Sequence, residues 1–110
     1  MKKIEQSWGL TDKKDQYNML NSPSEKMSTH KGERLEIRAW AIIENTTDNG
    51  EVSYAFQVIT TNGEYIGTNS KCFLDGVRMF LGIFEPNELT SFQIGVRANK
   101  QGREYITFIA

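Results

Sequence analysis

The residues with the clearest chemical potential surround one short turn near the end of the chain. Arg97 and Arg103 flank the turn-like run 98–102, Lys100 lies within it, and Tyr105 follows directly. A protein that binds unpaired nucleic acid needs flat rings on which bases stack and cations that follow the phosphates. This basic and aromatic cluster therefore predicts a nucleic-acid-binding surface, although each member alone is also typical of a solvated loop.

A second group of candidates lies on three strand-like runs in the middle of the chain. Trp40 stands beside Arg38 on the polar face of the first run, where it is either a stacking platform or a cover for a subunit contact. Tyr54 shares a face with Phe56, so a core position is favoured for it, whereas Tyr65 follows a hairpin turn and is the better candidate. The full set of predicted nucleic-acid-binding residues is Arg38, Trp40, Tyr54, Tyr65, Arg97, Lys100, Arg103 and Tyr105.

Other chemistries find little support in the sequence. His30 is the only histidine, and no carboxylate or cysteine lies near it at a ligand spacing. Cys72 lies at the start of a helix-like run, and we interpret it as a buried or half-buried structural thiol. The glycines are scattered and form no phosphate-binding loop. We therefore predict a protein that is not an enzyme, with no catalytic residue, metal site, cofactor or small-molecule substrate.

The elements that must position these residues follow a definite order. Strand-like runs cover 33–45, 51–60 and 64–68, a helix-like run covers 70–85, and two more strand-like runs cover 91–98 and 103–109. Five strands with a single helix between the third and the fourth is the order of an OB-fold, a five-stranded Greek-key barrel. We predict a mainly β OB-fold domain over 33–110 and an N-terminal arm or extra strand over 1–32.

Alternation of apolar and polar residues predicts the faces of the first strand. One face is expected to carry Leu35, Ile37, Ala39, Ala41 and Ile43. The opposite face then carries Arg38 and Trp40. The dipeptide Asn62-Gly63 predicts a tight hairpin between the second and third strands, because both residue types tolerate positive φ.

The helix-like run has an apolar stripe at spacings of four, three and four residues. Its members are Phe73, Val77, Phe80 and Phe84. Ser70 or Asn69 can cap the start, and Pro86 is expected to end the helix after Glu85. In an OB-fold this helix closes one end of the barrel, so we interpret the stripe as core, with Gly76 allowing close packing against the sheet.

Length and composition fit one domain of ordinary size. The chain has 110 residues, of which 38% are hydrophobic and 25% charged, and its net charge is −1. That charge argues mildly against a generic nucleic-acid binder, so the local excess of cations over 94–110 matters more than the sum. No apolar run approaches the roughly 20 residues that cross a bilayer, and a single cysteine forms no internal disulfide. We therefore predict a cytoplasmic protein without a membrane partner. The run 21–24 separately predicts a turn.

Part of the sequence is similar to a known family. The run YAFQVITTNGEYIGTNS (54–70), the Phe-rich helix after it, and KQGREYIT (100–107) resemble the small single-stranded-DNA-binding proteins of phages and plasmids of Gram-positive bacteria. The stretches GLTDKKD (9–15) and MLNS (19–22) resemble their N-terminal arm. The resemblance implies an OB-fold that coats single-stranded DNA during replication or transfer of the element, and it points to Tyr65, Arg103, Tyr105 and Trp40.

Two functions remain open at this stage. The first is sequence-tolerant binding of single-stranded DNA, which the element order and the basic-aromatic cluster favour. The second is a protein-binding OB module, such as an inhibitor or assembly factor, which the near-zero net charge and the aromatic residues of the arm favour. A homo-oligomer is expected in the first case, because the long first strand leaves an edge that the arm or Trp40 would cover.

Overall fold

The computed structural model describes residues 1–21 and 24–110, so Ser22 and Pro23 of the predicted turn at 21–24 lie outside the described residues. These residues form seven strands and two α-helices, and the fold is mainly β. The strands are β1 (Lys2–Trp8), β2 (Glu25–Lys26), β3 (Arg34–Thr46), β4 (Val52–Thr60), β5 (Tyr65–Thr68), β6 (Ser91–Ala98) and β7 (Glu104–Ile109); the helices are α1 (Lys13–Asn21) and α2 (Lys71–Leu81). Short 3-10 turns cover Met27–His30 and Pro86–Glu88.

The predicted order of five strands and one helix occurs in β3 to β7, with α2 between β5 and β6. The predicted totals are wrong, because residues 1–32 add β1, α1 and β2. The N-terminal strand β1 runs antiparallel to the second half of β3, with Lys2 opposite Asn45 and Trp8 opposite Trp40. The signal for these elements is weak in the sequence because β1 is short and mostly polar, and because α1 buries only Met19.

Six strands of the sheet follow the path β2-β5-β4-β3-β6-β7, and the seventh, β1, lies off this path and pairs with β3. The 13-residue strand β3 pairs along its length with β4, and on its other side it pairs first with β6 and then with β1. The sheet curls so far that the 3-10 turn Met27–His30 contacts both β5 and β7. The fold is therefore barrel-like, and a segment of the N-terminal region lies between its two end strands.

A β-bulge at Arg38 changes the faces predicted for β3. Ile37 pairs with Thr60 and Ala39 pairs with Ile59, so Arg38 is an extra residue opposite β4. The inward face carries Leu35 and Ile37 before the bulge and Trp40 and Ile42 after it, while Ala39, Ala41 and Ile43 face outward into a second core. The alternation predicted from sequence holds on each side of Arg38 and shifts by one residue across it.

Trp40 consequently lies in the main core, where its exposed fraction is 0%. Its Nε1 donates a hydrogen bond to the Pro86 carbonyl at 3.2 Å, and its ring lies 6.1 Å from that of Phe56. The prediction of an exposed Trp40, as a stacking platform or as a cover for a subunit contact, is wrong. The bulge is the physical reason, because it turns this ring from the outer surface into the curl of the sheet.

Helix α2 fills the curl with the first part of its apolar stripe. Phe73 and Val77 are fully buried, and Phe73 packs edge-on against Phe108 with ring centroids 5.7 Å apart. The Ser70 hydroxyl caps the helix by accepting from the Phe73 backbone N–H at 3.3 Å, as predicted. A Cβ on Gly76 would lie 3.0 Å from the Phe108 Cβ, so close packing against β7 explains this glycine.

The end of α2 differs from the prediction. The helix stops at Leu81, because the Gly82 N–H is shared between the Arg78 and Met79 carbonyls in a tightened last turn. Phe84 therefore lies beyond the helix and is 44% exposed. With 11 residues α2 is the longest helix, and none of the helices formed by residues 1–21 and 24–110 could span a membrane.

Helix α1 covers part of the outer face of the sheet. Met19 and Leu10 are buried against Ala39, Ala41, Ile43 and Ile59, which form the second core. The predicted hairpin at Asn62-Gly63 is confirmed, with Gly63 at φ +88° joining β4 to β5. The outer face of β4 and β5 beyond α1 is left open, and a surface depression follows it.

Candidate nucleic-acid interface

Three adjoining cavities lie along β4 between α2 and the strands β2 and β5; we refer to them together as the β4–β5 groove. The first, of about 680 Å³, lies between α2 and the start of β4. The second, of about 360 Å³, shares Ser53, Tyr54 and Asn69 with the first. The third, of about 420 Å³, shares Ser24, Ala55, Gln57 and Asn69 with the second. The shared lining shows that the three cavities adjoin; the first lies on the α2 side of β4, and the other two lie on its outer face beside Ala55 and Gln57.

The first cavity contains an aromatic ring with a cation over it. Tyr54 is 36% exposed, so the core position favoured from sequence is wrong; Tyr54 lies at the solvent end of the face that Phe56 continues inward. The Arg78 guanidinium carbon lies 5.1 Å from the Tyr54 ring centroid, a cation–π geometry. Arg78 also donates to Glu5 Oε1 at 2.8 Å, and this hydrogen bond raises the pKa of the guanidinium.

The second and third cavities share a buried amide. Gln57 is 8% exposed on the outer face of β4, and its Nε2 has no hydrogen-bond partner among the described residues. Ala55 and Gly67 lie beside it in the lining of this part of the groove. A Cβ on Gly67 would lie 3.4 Å from the Gln57 Cγ and 3.3 Å from the Ser24 Oγ, so the packing around this position is tight and favours glycine.

The charges along the β4–β5 groove are mostly positive. Lys2, Lys26, Lys71 and Arg78 line it, against the two carboxylates of Glu5 and Asp75. The ion pairs found within residues 1–21 and 24–110 include Arg78 but none of the three lysines. A protein with a net charge of −1 therefore concentrates cations along this path.

The β6–β7 hairpin brings together the residues predicted around its turn. Arg97 lies directly opposite Tyr105 in the ladder, and Lys100 and Arg103 are exposed at the turn between the strands. Asn99 organises that turn, because its Oδ1 accepts from the backbone N–H groups two and four residues later, both at 3.0 Å. The residues of the predicted cluster therefore lie close together in space, and their role in binding stays a prediction.

One segment connects the β4–β5 groove to the β6–β7 hairpin. Lys26 and Ser28 line the third cavity of the groove. Lys31, three residues after Ser28, donates from Nζ to Glu104 Oε1 at 3.2 Å, at the turn end of the hairpin. The two regions are therefore joined through residues 26–31.

Arg38 and Tyr65 occupy a different place. Arg38 Nη1 donates to Asp15 Oδ2 of α1 at 2.9 Å, and this hydrogen bond holds the pKa of the Asp15 carboxyl below its ordinary value, with a smaller contribution from Tyr65. Tyr65 pairs with Ile59, five residues along β4 from Tyr54, which is roughly 16 Å of strand. The structure does not bring Arg38 and Tyr65 together with Tyr54.

His30 has carboxylate neighbours that the sequence spacing did not indicate. Its Nε2 lies 2.7 Å from Glu25 Oε2 and its Nδ1 lies 3.2 Å from Glu33 Oε2, so folding brings two carboxylates to a ring for which the sequence indicated no ligand spacing. The hydrogen bond to Glu25, followed by that to Glu33, raises the pKa of His30. The carboxylates bind opposite ring nitrogens and do not converge, and no cluster of three or more metal-ligating side chains occurs in the described residues.

Sequence reasoning missed several lining residues of the groove. Lys71, Asp75 and Arg78 follow spacings of four and three, so a polar helix face opposite the apolar stripe was readable. Gln57 and Asn69 carried no comparable signal. The exposed thiol of Cys72, in the first turn of α2, also differs from the buried position expected for it.

Comparisons of the chain with protein-family models, with curated proteins and with solved structures find no match.

Proposed function

We propose that this protein binds single-stranded DNA with little dependence on sequence, and that its barrel-like sheet is an OB-fold. The path β5-β4-β3-β6-β7, with α2 inserted between β5 and β6, supports the OB-fold, in which the face around the second and third strands commonly binds oligonucleotides. Those two strands correspond to β4 and β5. The end strands of this OB-fold are bridged by the turn Met27–His30.

The observation that carries the proposal is the β4–β5 groove itself. It crosses the expected strands, it is lined by four cations, and it presents the Tyr54 ring to solvent. A strand of DNA needs both cations and exposed rings, since its charge repeats at every nucleotide and its bases require surfaces for stacking. A stacked base contributes roughly 1–3 kcal/mol with little dependence on its identity, which suits a sequence-tolerant binder.

The two regions have different roles in this proposal. In the β4–β5 groove, Tyr54 stacks a base, using the ring face away from Arg78 or displacing that guanidinium. In the β6–β7 hairpin, the exposed Arg97, Lys100 and Arg103 contact phosphates, and Tyr105 supports Arg97 across the ladder. The protein carries out no catalytic step and needs no cofactor.

The biological setting is part of the proposal. The resemblance over 54–70 and 100–107 supports a role in replication of phage or plasmid DNA in the cytoplasm of a bacterial host. A homo-oligomer fits this role, because coating proteins act in several copies along one strand. Within the described residues β1 pairs only with β3, so its outer edge is available for association.

The experiment is a titration of the protein into a fluorescently labelled 30-mer of oligo-dT, followed by anisotropy. Micromolar or tighter binding is expected at low salt, and the affinity should fall as salt rises because phosphate contacts release counterions. Absence of binding to the 30-mer at low salt would overturn the proposal.

A second candidate function, binding of a protein partner as an inhibitor or assembly factor, is favoured by one observation. Met79, Ile83 and Phe84 are 73%, 78% and 44% exposed at or just after the end of α2, are close together in sequence, and do not line the groove. Exposed apolar clusters of this kind occur at protein interfaces. A pull-down that recovers one specific protein and no DNA, and that loses it with Ile83→Glu, would select this function over DNA binding.

A further inference from the structure

The first cavity of the β4–β5 groove contains an arginine that already has an anionic partner. Arg78 of α2 donates from Nη1 to Glu5 Oε1 at 2.8 Å, and its guanidinium carbon lies 5.1 Å from the Tyr54 ring centroid. The hydrogen bond to Glu5 is the largest of the causes that raise the pKa of this guanidinium. One side chain therefore covers a face of the ring and neutralises the carboxylate at the same time.

A β-bulge in β1 directs Glu5 toward this arginine. The pairing of β1 with β3 shifts register between Ile4 and Gln6, so Glu5 is an extra residue on the β1 side. Bulges of this kind change the direction in which a side chain points. The resulting hydrogen bond joins two residues that are 73 positions apart in the sequence, and it connects the N-terminal strand to the face of α2 that lines the first cavity.

The contact between Glu5 and Arg78 is exposed enough to be exchanged. Their side chains are 31% and 39% exposed, and Tyr54 is 36% exposed. Ion pairs that are accessible to water contribute little to stability, because water solvates the separated charges nearly as well. The cavity of about 680 Å³ falls within the range of about 300–1,000 Å³ that is typical of ligand sites. A group of nucleotide size can therefore enter by displacing side chains that are already at the surface.

The charges of the first cavity are balanced while Glu5 is in place. Lys71 and Arg78 are its two cations, and Glu5 and Asp75 are its two carboxylates. Of these two carboxylates, only that of Glu5 forms an ion pair with Arg78 among the described residues. Release of Arg78 from Glu5 is therefore the change that makes a cation available to an entering anion.

We propose that the first cavity is a nucleotide subsite, in which the Glu5 carboxylate occupies the position of a phosphate until a strand binds. Arginine binds carboxylate and phosphate oxygens through the same fork of N–H donors. A phosphate of the strand replaces Glu5 on Arg78, the guanidinium moves off the ring, and the base of that nucleotide replaces it on Tyr54. The subsite rests on the DNA-binding function proposed above and assigns to Glu5 an inhibitory role within it.

The experiment is a double-mutant cycle on the ion pair. Wild type, Glu5→Gln, Arg78→Gln and the double variant are each titrated with the labelled 30-mer of oligo-dT at low salt. We expect Glu5→Gln to tighten binding about three- to tenfold, the effect of one unit charge at about 4 Å in a hydrated site. Arg78→Gln should weaken binding. In the Arg78→Gln background the gain from Glu5→Gln should be lost, because no phosphate is then drawn to the position of the carboxylate.

Two control variants separate the exchange from a general effect of charge. Asp75→Asn removes the same charge from the same cavity without breaking the ion pair of Arg78, so its gain should be smaller than that of Glu5→Gln. Glu51→Gln removes the same charge from an exposed position directly before β4, outside the lining of the groove, and should match wild type. A gain in either control as large as that of Glu5→Gln would overturn the exchange.

A second strand tests whether Glu5 competes with the phosphate. A 30-mer with a tetrahydrofuran unit in place of every base keeps all its phosphates and has no ring to stack. Glu5→Gln should tighten binding to this strand as well, because the group that replaces the carboxylate on Arg78 is still present. A gain confined to oligo-dT would mean that Glu5 opposes the base, and it would overturn the exchange.

The folding of the variants does not obscure the result, because a gain in affinity cannot arise from partial unfolding. Urea midpoints measured for every variant complete the comparison. Unchanged or weaker binding by a folded Glu5→Gln, or an equal gain in the Arg78→Gln background, would overturn the subsite and leave the proposed function intact. Failure of wild type to bind oligo-dT at all would overturn both.

Discussion

The β4–β5 groove and the β6–β7 hairpin differ in how firmly their polar groups are held. In the groove, Arg78 is held between Glu5 and the Tyr54 ring, and Gln57 is fixed by burial. In the hairpin, Lys100 and Arg103 are exposed, and neither takes part in the ion pairs found in the described part of the chain. One region is preorganised by packing, and the charged side chains of the other are exposed to solvent without ion-pair partners among the described residues.

This difference suggests that the two regions would contact different parts of the nucleic acid. Fixed rings suit the recognition of bases, whose contacts are short-ranged and depend little on salt. Solvated cations suit phosphates, because their attraction is long-ranged and is screened by ions. Variants in the two regions should therefore differ in the salt dependence of binding as well as in affinity.

The largest expected effect comes from the core that the two regions share. Trp40 contacts Phe56, which lies on the same strand as the groove, and its main-core neighbours include Phe92 of the hairpin strand β6. Trp40→Ala should reduce the free energy of unfolding by about 3–5 kcal/mol through loss of packing and the cavity left behind. Urea denaturation followed by circular dichroism measures this loss.

Trp8→Ala is the matched control for Trp40→Ala. Trp8 is only partly buried at the edge of the same core, so its loss should cost less. A Trp40→Ala variant as stable as wild type would contradict the core position of this ring. If a Trp40 variant folds, the contributions of both the β4–β5 groove and the β6–β7 hairpin to binding should decrease, because Trp40 belongs to the core that the two regions share.

Within the groove, Tyr54→Ala should weaken binding to oligo-dT by about 1–3 kcal/mol, because one base loses its stacking surface. The slope of affinity against salt should stay close to that of wild type, since no cation is removed. Tyr17→Ala is the control, because Tyr17 is 67% exposed on α1 and does not line the groove. Equal losses in the two tyrosine variants would deny Tyr54 a specific role.

The contrast also explains what the sequence could predict. The hairpin cluster lies within nine consecutive residues, so its members must be near each other once the turn is recognised. The order of β3 to β7, the Ser70 cap and the core stripe of α2 were likewise readable from local patterns. These features depend on turn chemistry and on periodicity, both of which act over a few residues.

The groove could not be predicted in the same way. Its lining comes from all of β1 to β5, both α-helices and the 3-10 turn Met27–His30, which only the folding of the whole sheet brings together. The position of Trp40 depends on one extra residue at Arg38, and a bulge leaves no mark in an alternating pattern until the pairing is known. Both the groove and the position of Trp40 therefore depend on contacts between residues that are far apart in the sequence.

In the hairpin, Lys100→Ala with Arg103→Ala should change the salt dependence more than the affinity at physiological salt. Two lost phosphate contacts on a single strand lower the slope of log affinity against log salt by about 1.4. Titration at several salt concentrations measures the slope. Lys13→Ala with Lys14→Ala removes the same charge from exposed positions on α1 and should leave the slope almost unchanged. A reversed result, with the α1 pair lowering the slope, would place the phosphate path elsewhere.

The smallest expected effect concerns the connection between the two regions. His30 lies between Glu25 and Glu33 and helps to hold residues 26–31, which contact both the groove and the hairpin. Because the pKa of His30 is raised in the folded protein, its contribution to stability is complete below the unfolded pKa of about 6.5 and is lost as pH rises through the higher folded pKa. Wild type should therefore exceed His30→Gln in urea midpoint at pH 5.5, and the difference should shrink at pH 8.5. If the difference in urea midpoint grew toward alkaline pH, the neutral form of the His30 ring, and not the protonated form, would be the one that stabilises residues 26–31.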